Sequence, residues 1–126
     1  MHLILQHDTP GDFVVATGVT TKVRDFVGMA FQHVGIDIEW KGKGVEEKGY
    51  DKKSGKALVE VDPRYFRPTE VDLLLGDPTK IQKTLGWKPK YTLSALIKEM
   101  MDHDLKEAQK DEYLKKGNFK VFDYFE

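Results

Sequence analysis

Three side chains suited to binding a phosphorylated sugar stand close together in the sequence, at Tyr65, Arg67 and Glu70. An arginine presents a planar fork of donors that matches phosphate oxygens, and its charge persists at any relevant pH. A carboxylate accepts hydrogen bonds from a vicinal diol such as a ribose, and a tyrosine hydroxyl can donate to a phosphate. The residue types therefore predict a grip on a diphosphate and a sugar. The alternative is that Arg67 and Glu70 pair with each other or with neighbours on a surface turn.

The backbone around these residues is restricted by proline. Pro68 fixes its own φ and limits the conformations of Arg67, so the origin of the arginine side chain is ordered in advance. Tyr65 precedes Arg67 by two residues, and in an extended chain the two side chains point to the same side.

Residues for making or breaking bonds are missing from the sequence. A dinucleotide-binding turn needs three glycines at fixed spacing between a strand and a helix. The segment 42–47 has the first two glycines but not the third, and it lacks the Gly-Lys-Ser/Thr ending of a P-loop. The four histidines make no pair at metal-ligand spacing, and Asp102-His103-Asp104 is predicted to be a solvated helix face. We expect no metal, cofactor or catalytic residue in this chain.

Composition narrows the class of protein further. The 126 residues fit one domain, and 20 basic against 21 acidic residues leave a net charge of −1. So small a net charge does not favour nucleic acid or an anionic membrane as a partner. There is no cysteine, and the short apolar start at 1–6 resembles neither a signal peptide nor a membrane span. The expectation is a soluble, cytoplasmic protein.

The hydrophobic pattern in the first third predicts alternating strands and helices. A β-rich run at 13–17 predicts a strand, and Thr20 or Thr21 can cap a helix that ends at Gly35. Strict alternation at 36–40 predicts a second strand with one face buried.

The rest of the pattern completes an α/β fold with about three helices and a small sheet, in a single domain covering 1–126. The apolar end of the chain, 117–126, is predicted to dock on the rest of the protein. The other predicted elements are a loop at 41–56, a strand at 57–61, a strand at 71–75, a helix from Asp77-Pro78 to Gly86, and a helix from Thr92 to about Lys110 or beyond.

One long run resembles a known enzyme family. Asp-Pro-Arg-Tyr-Phe-Arg-Pro-Thr-Glu-Val-Asp-Leu-Leu at 62–74 is similar to the C-terminal, substrate-binding part of GDP-mannose 4,6-dehydratases, which are extended short-chain dehydrogenase/reductase enzymes. Gly-Asp-Pro-Thr-Lys at 76–80 and Leu-Gly-Trp-Lys-Pro at 85–89 resemble pieces found more widely among sugar-nucleotide epimerases and dehydratases. The likeness extends over essentially the whole chain.

The resemblance implies roles for individual residues. It implies that Arg67 grips the nucleotide diphosphate, that Glu70 holds the ribose, and that Tyr65 lies beside the phosphates. Arg24 ranks lower than these residues. A cation near a helix N-terminus opposes the helix dipole, which indicates a role beyond helix stability, and a surface or subunit contact is as good an explanation as a substrate contact.

The resemblance also implies a reaction, and it implies which groups for that reaction are missing from this chain. The family removes water from GDP-mannose to give a 4-keto-6-deoxy sugar on the route to GDP-fucose, using NADP in a homo-oligomeric lyase. None of the five tyrosines is followed four residues later by the lysine that the family uses for proton transfer. The fold class implied is the small substrate-binding domain without its Rossmann half, so the chain alone is expected to be inactive.

Three interpretations remain open. The chain is the substrate-binding portion of a GDP-mannose dehydratase, with the nucleotide-binding half as its partner, or a stand-alone module that binds nucleotide sugars. The third is a structural or assembly domain with a vestigial site.

Overall fold

The computed structural model describes residues 1–67, 69 and 73–120, and its described part is a small α/β fold. Three strands form one antiparallel sheet in the order β1-β2-β3. The described residues also contain four α-helices, one more than the three or so predicted, because a single helical turn opens the chain. The elements are α1 (His2–Leu5), α2 (Val23–His33), β1 (Ile38–Lys41), a 3-10 turn (Gly44–Glu46), β2 (Lys48–Asp51), β3 (Ala57–Glu60), α3 (Thr79–Leu85) and α4 (Leu93–Lys116).

The middle strand of the sheet lies where a loop was predicted. The prediction of a loop at 41–56 is wrong, because β2 occupies residues 48–51 and pairs with a strand on each side. Gly49 lies opposite Trp40 in this pairing, and a Cβ on the glycine would be 3.2 Å from Cζ3 of the indole ring. The wide ring of Trp40 therefore covers the space that a side chain at position 49 would need. Lys-Gly-Tyr-Asp has no apolar alternation, so the sequence pattern gave no strand signal.

Helix α2 ends as predicted but begins differently. Lys22 is the N-cap residue and its side chain makes no cap hydrogen bond, so the predicted threonine cap is wrong. At the other end, Gly35 has a φ of +76°. The N–H of Ile36 donates to the carbonyl of Phe31 at 3.0 Å. This is the glycine-dependent C-terminal motif in which a left-handed residue lets the chain close over the last turn.

Helix α4 begins at the predicted residue, and α3 begins one residue later than predicted, at Thr79 with Pro78 as its N-cap residue. The carboxylate of Asp77 accepts the backbone N–H of Thr79 at 2.9 Å, and α3 stops at Gly86, whose φ is +63°. The hydroxyl of Thr92 accepts the N–H of Ala95 at 3.2 Å and so caps α4. The last helix continues well past the predicted minimum. Although this helix is long, no helix in the described ranges combines the length and apolarity needed to cross a membrane.

Two predicted strands are not strands in the structure. Residues 13–17 and 73–75 have no regular secondary structure. The other two residues of the second prediction, Val71 and Asp72, lie outside the described residues. The docking predicted for the end of the chain also lies largely outside them, at 121–126. A β-rich sequence forms a strand only when a neighbouring chain satisfies its backbone groups.

The apolar core is small. Across the described ranges the buried apolar side chains are Pro78 ahead of α3, Ile81 on α3 and Ile97 on α4, and the two isoleucines are 2% and 3% exposed. Helices α2 and α4 pack against each other, and a polar cluster joins them. Asp102 on α4 contacts His33 Nε2 at 2.8 Å and Lys98 Nζ at 2.7 Å. Asp102 is thus an inter-helix contact, which corrects the prediction that it belongs to a solvated helix face.

This cluster predicts a pH dependence of stability. The ammonium of Lys98, with a smaller effect from His33, lowers the pKa of Asp102 from 3.8 to about 2. Because the folded pKa lies below the unfolded one, ionised Asp102 stabilises the fold above about pH 4, and that stabilisation is lost as the pH falls towards 2. Asp102→Asn should therefore lower the free energy of unfolding at neutral pH, and the difference from wild type should vanish near pH 2. Urea unfolding at several pH values measures this, with the exposed Asp104→Asn as control. An equal effect of the two substitutions would contradict the prediction.

Candidate functional site

The segment after β3 is held by a clamp between Asp62 and Arg64. The guanidinium Nη2 and Nε of Arg64 donate to Oδ2 of Asp62 at 2.8 and 3.1 Å. The same carboxylate accepts the backbone N–H of Arg64 at 2.9 Å, and the carbonyl of Asp62 accepts the N–H of Tyr65 at 3.1 Å. Hydrogen bonds from the Arg64 side chain, then from its backbone, lower the pKa of Asp62. The carboxylate is therefore ionised at neutral pH and closes the turn.

Tyr65 and Arg67 follow directly from this turn. Tyr65 is 74% exposed, and the guanidinium carbon of Arg64 lies 5.5 Å from the centre of its ring. Arg67 is also exposed. Both side chains are open to solvent, as a contact with a soluble ligand requires. Glu70 and Pro68 lie outside the described residues, so the geometry of the three-residue grip stays a prediction.

Sequence reasoning missed the structural role of Arg64. Arg64 and Arg67 lie on either side of Tyr65 in the sequence. The side chain of Arg64 donates hydrogen bonds to the carboxylate of Asp62, two residues earlier. An aspartate that binds its own backbone two residues further on is a common turn device, and Asp-Pro-Arg was the available signal for it. Arg64 thus closes the turn, and Arg67 follows the turn in the sequence.

Arg24 has a structural explanation as well. Its guanidinium pairs with the carboxylate of Glu47, and its Cζ lies 5.6 Å from the centre of the Trp40 ring. These contacts join the start of α2 to β1 and to the segment before β2. An ion pair and a cation–π contact each stabilise a half-exposed arginine and so oppose the unfavourable effect of the helix dipole.

The glycine segment before β2 does not form a dinucleotide-binding turn. Gly42 has a φ of +91°, and a Cβ there would lie 2.3 Å from the carbonyl oxygen of Glu46. The 3-10 turn Gly44–Glu46 leads into a strand rather than a helix. This segment therefore places no helix N-terminus where it could face a pyrophosphate, and NADP does not fit the segment. The described ranges also contain no group of three or more side chains able to hold a metal ion.

A separate groove of about 730 Å³ lies between the loop before α2 and the start of α4. Thr17 and Thr21 line one side, and Lys88, Tyr91 and Leu93 line the other. Neither Tyr65 nor Arg67 borders it. The groove is therefore distinct from the candidate site on the turn.

Comparisons with known proteins agree on one family. The sequence model of a family described as "GDP-mannose 4,6 dehydratase" matches residues 1–100. A GDP-mannose 4,6-dehydratase of Sinorhizobium fredii is 56% identical over 105 residues, covering 83% of this chain and 30% of the relative. The Vibrio cholerae protein of the same name is 46% identical, covering 94% and 35%, and that of Dictyostelium discoideum is 47% identical, covering 94% and 32%. The chain thus spans about a third of the length of these relatives.

Proposed function

The chain belongs to the GDP-mannose 4,6-dehydratase family, and we propose that it supplies the portion of such an enzyme that binds the GDP sugar. The complete enzyme converts GDP-mannose to GDP-4-keto-6-deoxymannose. The observation that carries the proposal is the family match across the turn at 62–67, where the structure leaves Tyr65 and Arg67 exposed.

Arg67 is the proposed contact to the diphosphate. It follows a turn that the Asp62–Arg64 clamp closes. An arginine fork can place two parallel hydrogen bonds on one phosphate, which gives direction as well as charge. Tyr65 adds a hydroxyl donor beside it, and Glu70 accepts hydrogen bonds from the ribose diol in this proposal.

This portion contributes binding and position rather than bond chemistry. Contacts to the nucleotide end of a substrate hold the distant sugar in place, and such remote contacts raise the rate at the reacting centre. NADP and the catalytic groups of this lyase belong to a separate nucleotide-binding half, in keeping with the misfit of NADP to the glycine segment. We further propose that the complete enzyme is a cytoplasmic homo-oligomer.

Calorimetric titration tests the binding role. The chain should bind GDP, and it should bind a 2′,3′-dideoxy analogue of GDP more weakly, because the analogue offers Glu70 no hydroxyl donors. Circular dichroism on the same sample verifies that the chain is folded. Equal affinity for the two nucleotides would remove Glu70 from the site. A folded chain that binds neither would favour the structural domain with a vestigial site.

Complementation separates the dehydratase portion from a stand-alone binding module. Alone, the chain should convert no GDP-mannose. Co-expressed with the nucleotide-binding half of the Sinorhizobium fredii relative, it should restore formation of the 4-keto product. GDP binding without complementation would favour the stand-alone module, and conversion by the purified chain alone would contradict the proposed division of labour.

A further inference from the structure

The guanidinium of Arg64 is directed at its own chain. Its Nη2 and Nε atoms donate to Oδ2 of Asp62 at 2.8 and 3.1 Å, and the backbone N–H of Arg64 donates to Oδ1 of the same carboxylate at 2.9 Å. Nε and Nη2 form one of the edges with which an arginine makes a two-pronged contact to a phosphate. That edge is occupied, and the negative charge of Asp62 beside it disfavours a phosphate there. Arg64 is therefore poorly suited to bind the diphosphate itself.

The clamp also contacts Tyr65 in two ways. The guanidinium carbon of Arg64 lies 5.5 Å from the centre of the Tyr65 ring, and the backbone N–H of Tyr65 donates to the carbonyl of Asp62 at 3.1 Å. Tyr65 is 74% exposed and lies in no strand or helix, so little packing limits the rotation of its side chain. The cation–π contact limits that rotation. Through Arg64, the clamp thus influences where the Tyr65 hydroxyl points.

A second ion pair in the chain has the same spacing but lies in a different setting. Nζ of Lys41 is 3.0 Å from Oε2 of Glu39, two residues earlier, and 5.7 Å from the centre of the Tyr50 ring. The sheet holds this tyrosine in place, because Tyr50 on β2 is paired with Glu39 on β1. Residues 62–67 belong to no strand. The orientation of Tyr65 therefore depends more on its neighbouring cation than that of Tyr50 does.

We propose that Arg64 is a positioning residue of the nucleotide site: it orients Tyr65 so that the tyrosine hydroxyl meets the diphosphate of GDP, and it does not contact the ligand itself. The inference rests on the proposed function and deepens it, since it adds a residue to the same site. A side chain that is already oriented loses less conformational entropy on binding than one that rotates freely. The clamp therefore strengthens GDP binding without adding a contact to GDP.

Two substitutions at the clamp test the proposal by calorimetry with GDP on the full chain. Arg64→Gln removes the charged donor and Asp62→Asn removes the charged acceptor. Each should raise the Kd for GDP roughly 2- to 10-fold, which is the effect of one side chain that must be ordered on binding. The double variant should bind no more weakly than the weaker single variant, because both changes break one interaction. Circular dichroism should show all three variants folded, since the Arg64 side chain is 78% exposed. An unchanged Kd in both single variants would overturn the proposal.

The sign of the Asp62→Asn effect separates positioning from direct contact. If Arg64 were a phosphate ligand, Asp62→Asn would free its guanidinium and remove a repulsive charge, and GDP would bind more tightly. Positioning predicts weaker binding instead, so tighter binding by Asp62→Asn contradicts the proposal. The two single substitutions also change the net charge in opposite directions, and a loss common to both cannot come from the charge near the diphosphate. Glu39→Gln and Lys41→Gln make the same two charge changes in the matched pair and should leave the Kd for GDP unchanged.

Tyr65→Phe tests the route from Arg64 to the ligand, because phenylalanine keeps the ring and lacks the hydroxyl. In this background Arg64→Gln should change the Kd for GDP by less than about twofold, since the hydroxyl that Arg64 orients is gone. A merely structural role of Arg64 would weaken binding to the same extent with tyrosine or phenylalanine at position 65. An equal loss in the two backgrounds is therefore the result that refutes positioning.

The binding results for the wild-type chain and its variants distinguish this inference from the proposed function. A folded wild-type chain that binds no GDP refutes the binding role and the positioning role together. A wild-type chain that binds GDP, is weakened by Arg67→Lys and is unaffected by Arg64→Gln and Asp62→Asn refutes the positioning role alone. In that case Arg64 only closes the turn, and the proposed function stands.

Discussion

Arg67→Lys is expected to weaken GDP binding by about 1–3 kcal/mol, which is roughly a 5- to 150-fold rise in Kd. Lysine keeps the positive charge but replaces a planar, two-pronged donor with a single ammonium. The loss therefore reports the paired hydrogen bonds to the diphosphate rather than the charge. Calorimetry with GDP on the folded chain measures it.

Arg24→Lys is the matched control for this substitution. Arg24 pairs with Glu47 and lies over Trp40, away from the turn. GDP affinity should be unchanged in this variant, because the structure gives Arg24 contacts within the chain. If Arg24→Lys weakens binding as much as Arg67→Lys does, the diphosphate contact has been assigned to the wrong arginine. An unchanged affinity in Arg67→Lys would remove Arg67 from the site.

Ile97→Ala should destabilise the fold by about 2–5 kcal/mol, since it removes buried methyl groups and leaves a cavity. Small domains have little stability to spare. We therefore expect the melting temperature to fall by roughly 10 °C or more, or the variant to be unfolded at room temperature. Thermal unfolding followed by circular dichroism gives the answer.

The neighbouring Leu96→Ala provides the comparison within the same helix turn. Leu96 is 44% exposed, whereas Ile97 is 3% exposed. The two substitutions have a similar effect on helix propensity, so the difference between them isolates burial. A similar fall in melting temperature for both would show that Ile97 is not the centre of the core.

The sequence predicted best those features that depend on a few adjacent residues. The helix ends at Gly35 and Gly86 and the helix start near Thr92 depend on local signals, and each lies where it was predicted. Strand β2 could not be predicted in this way, because Gly49 belongs to the sheet through Trp40 and Val59 on the two neighbouring strands. Its position is decided by pairing, which the four residues of the strand do not encode on their own.

The predictions of strands at 13–17 and 73–75 were wrong for a related reason. Residues 13–17 have the amino-acid composition of a strand. Such a sequence forms a strand only when a neighbouring segment supplies backbone hydrogen bonds and covers the side chains. In the candidate site, residue chemistry singled out Tyr65, Arg67 and Glu70 as substrate-binding residues, which stays a prediction, and it did not identify the part that Arg64 has in closing the turn. The structure shows this part of Arg64 through Asp62, whose carboxylate accepts hydrogen bonds from the Arg64 side chain.

The arrangement of the sheet has a consequence for the order in which the chain folds. The strand pairs in the described part of the chain join residues between 38 and 60, so this three-stranded sheet closes through short loops. The contact that joins α2 to α4, from His33 to Asp102, spans 69 residues. Because the entropy lost on closing a loop grows with its length, local pairing precedes distant packing. We expect the sheet to serve as the nucleus of folding and the docking of α4 to be the late, slow step.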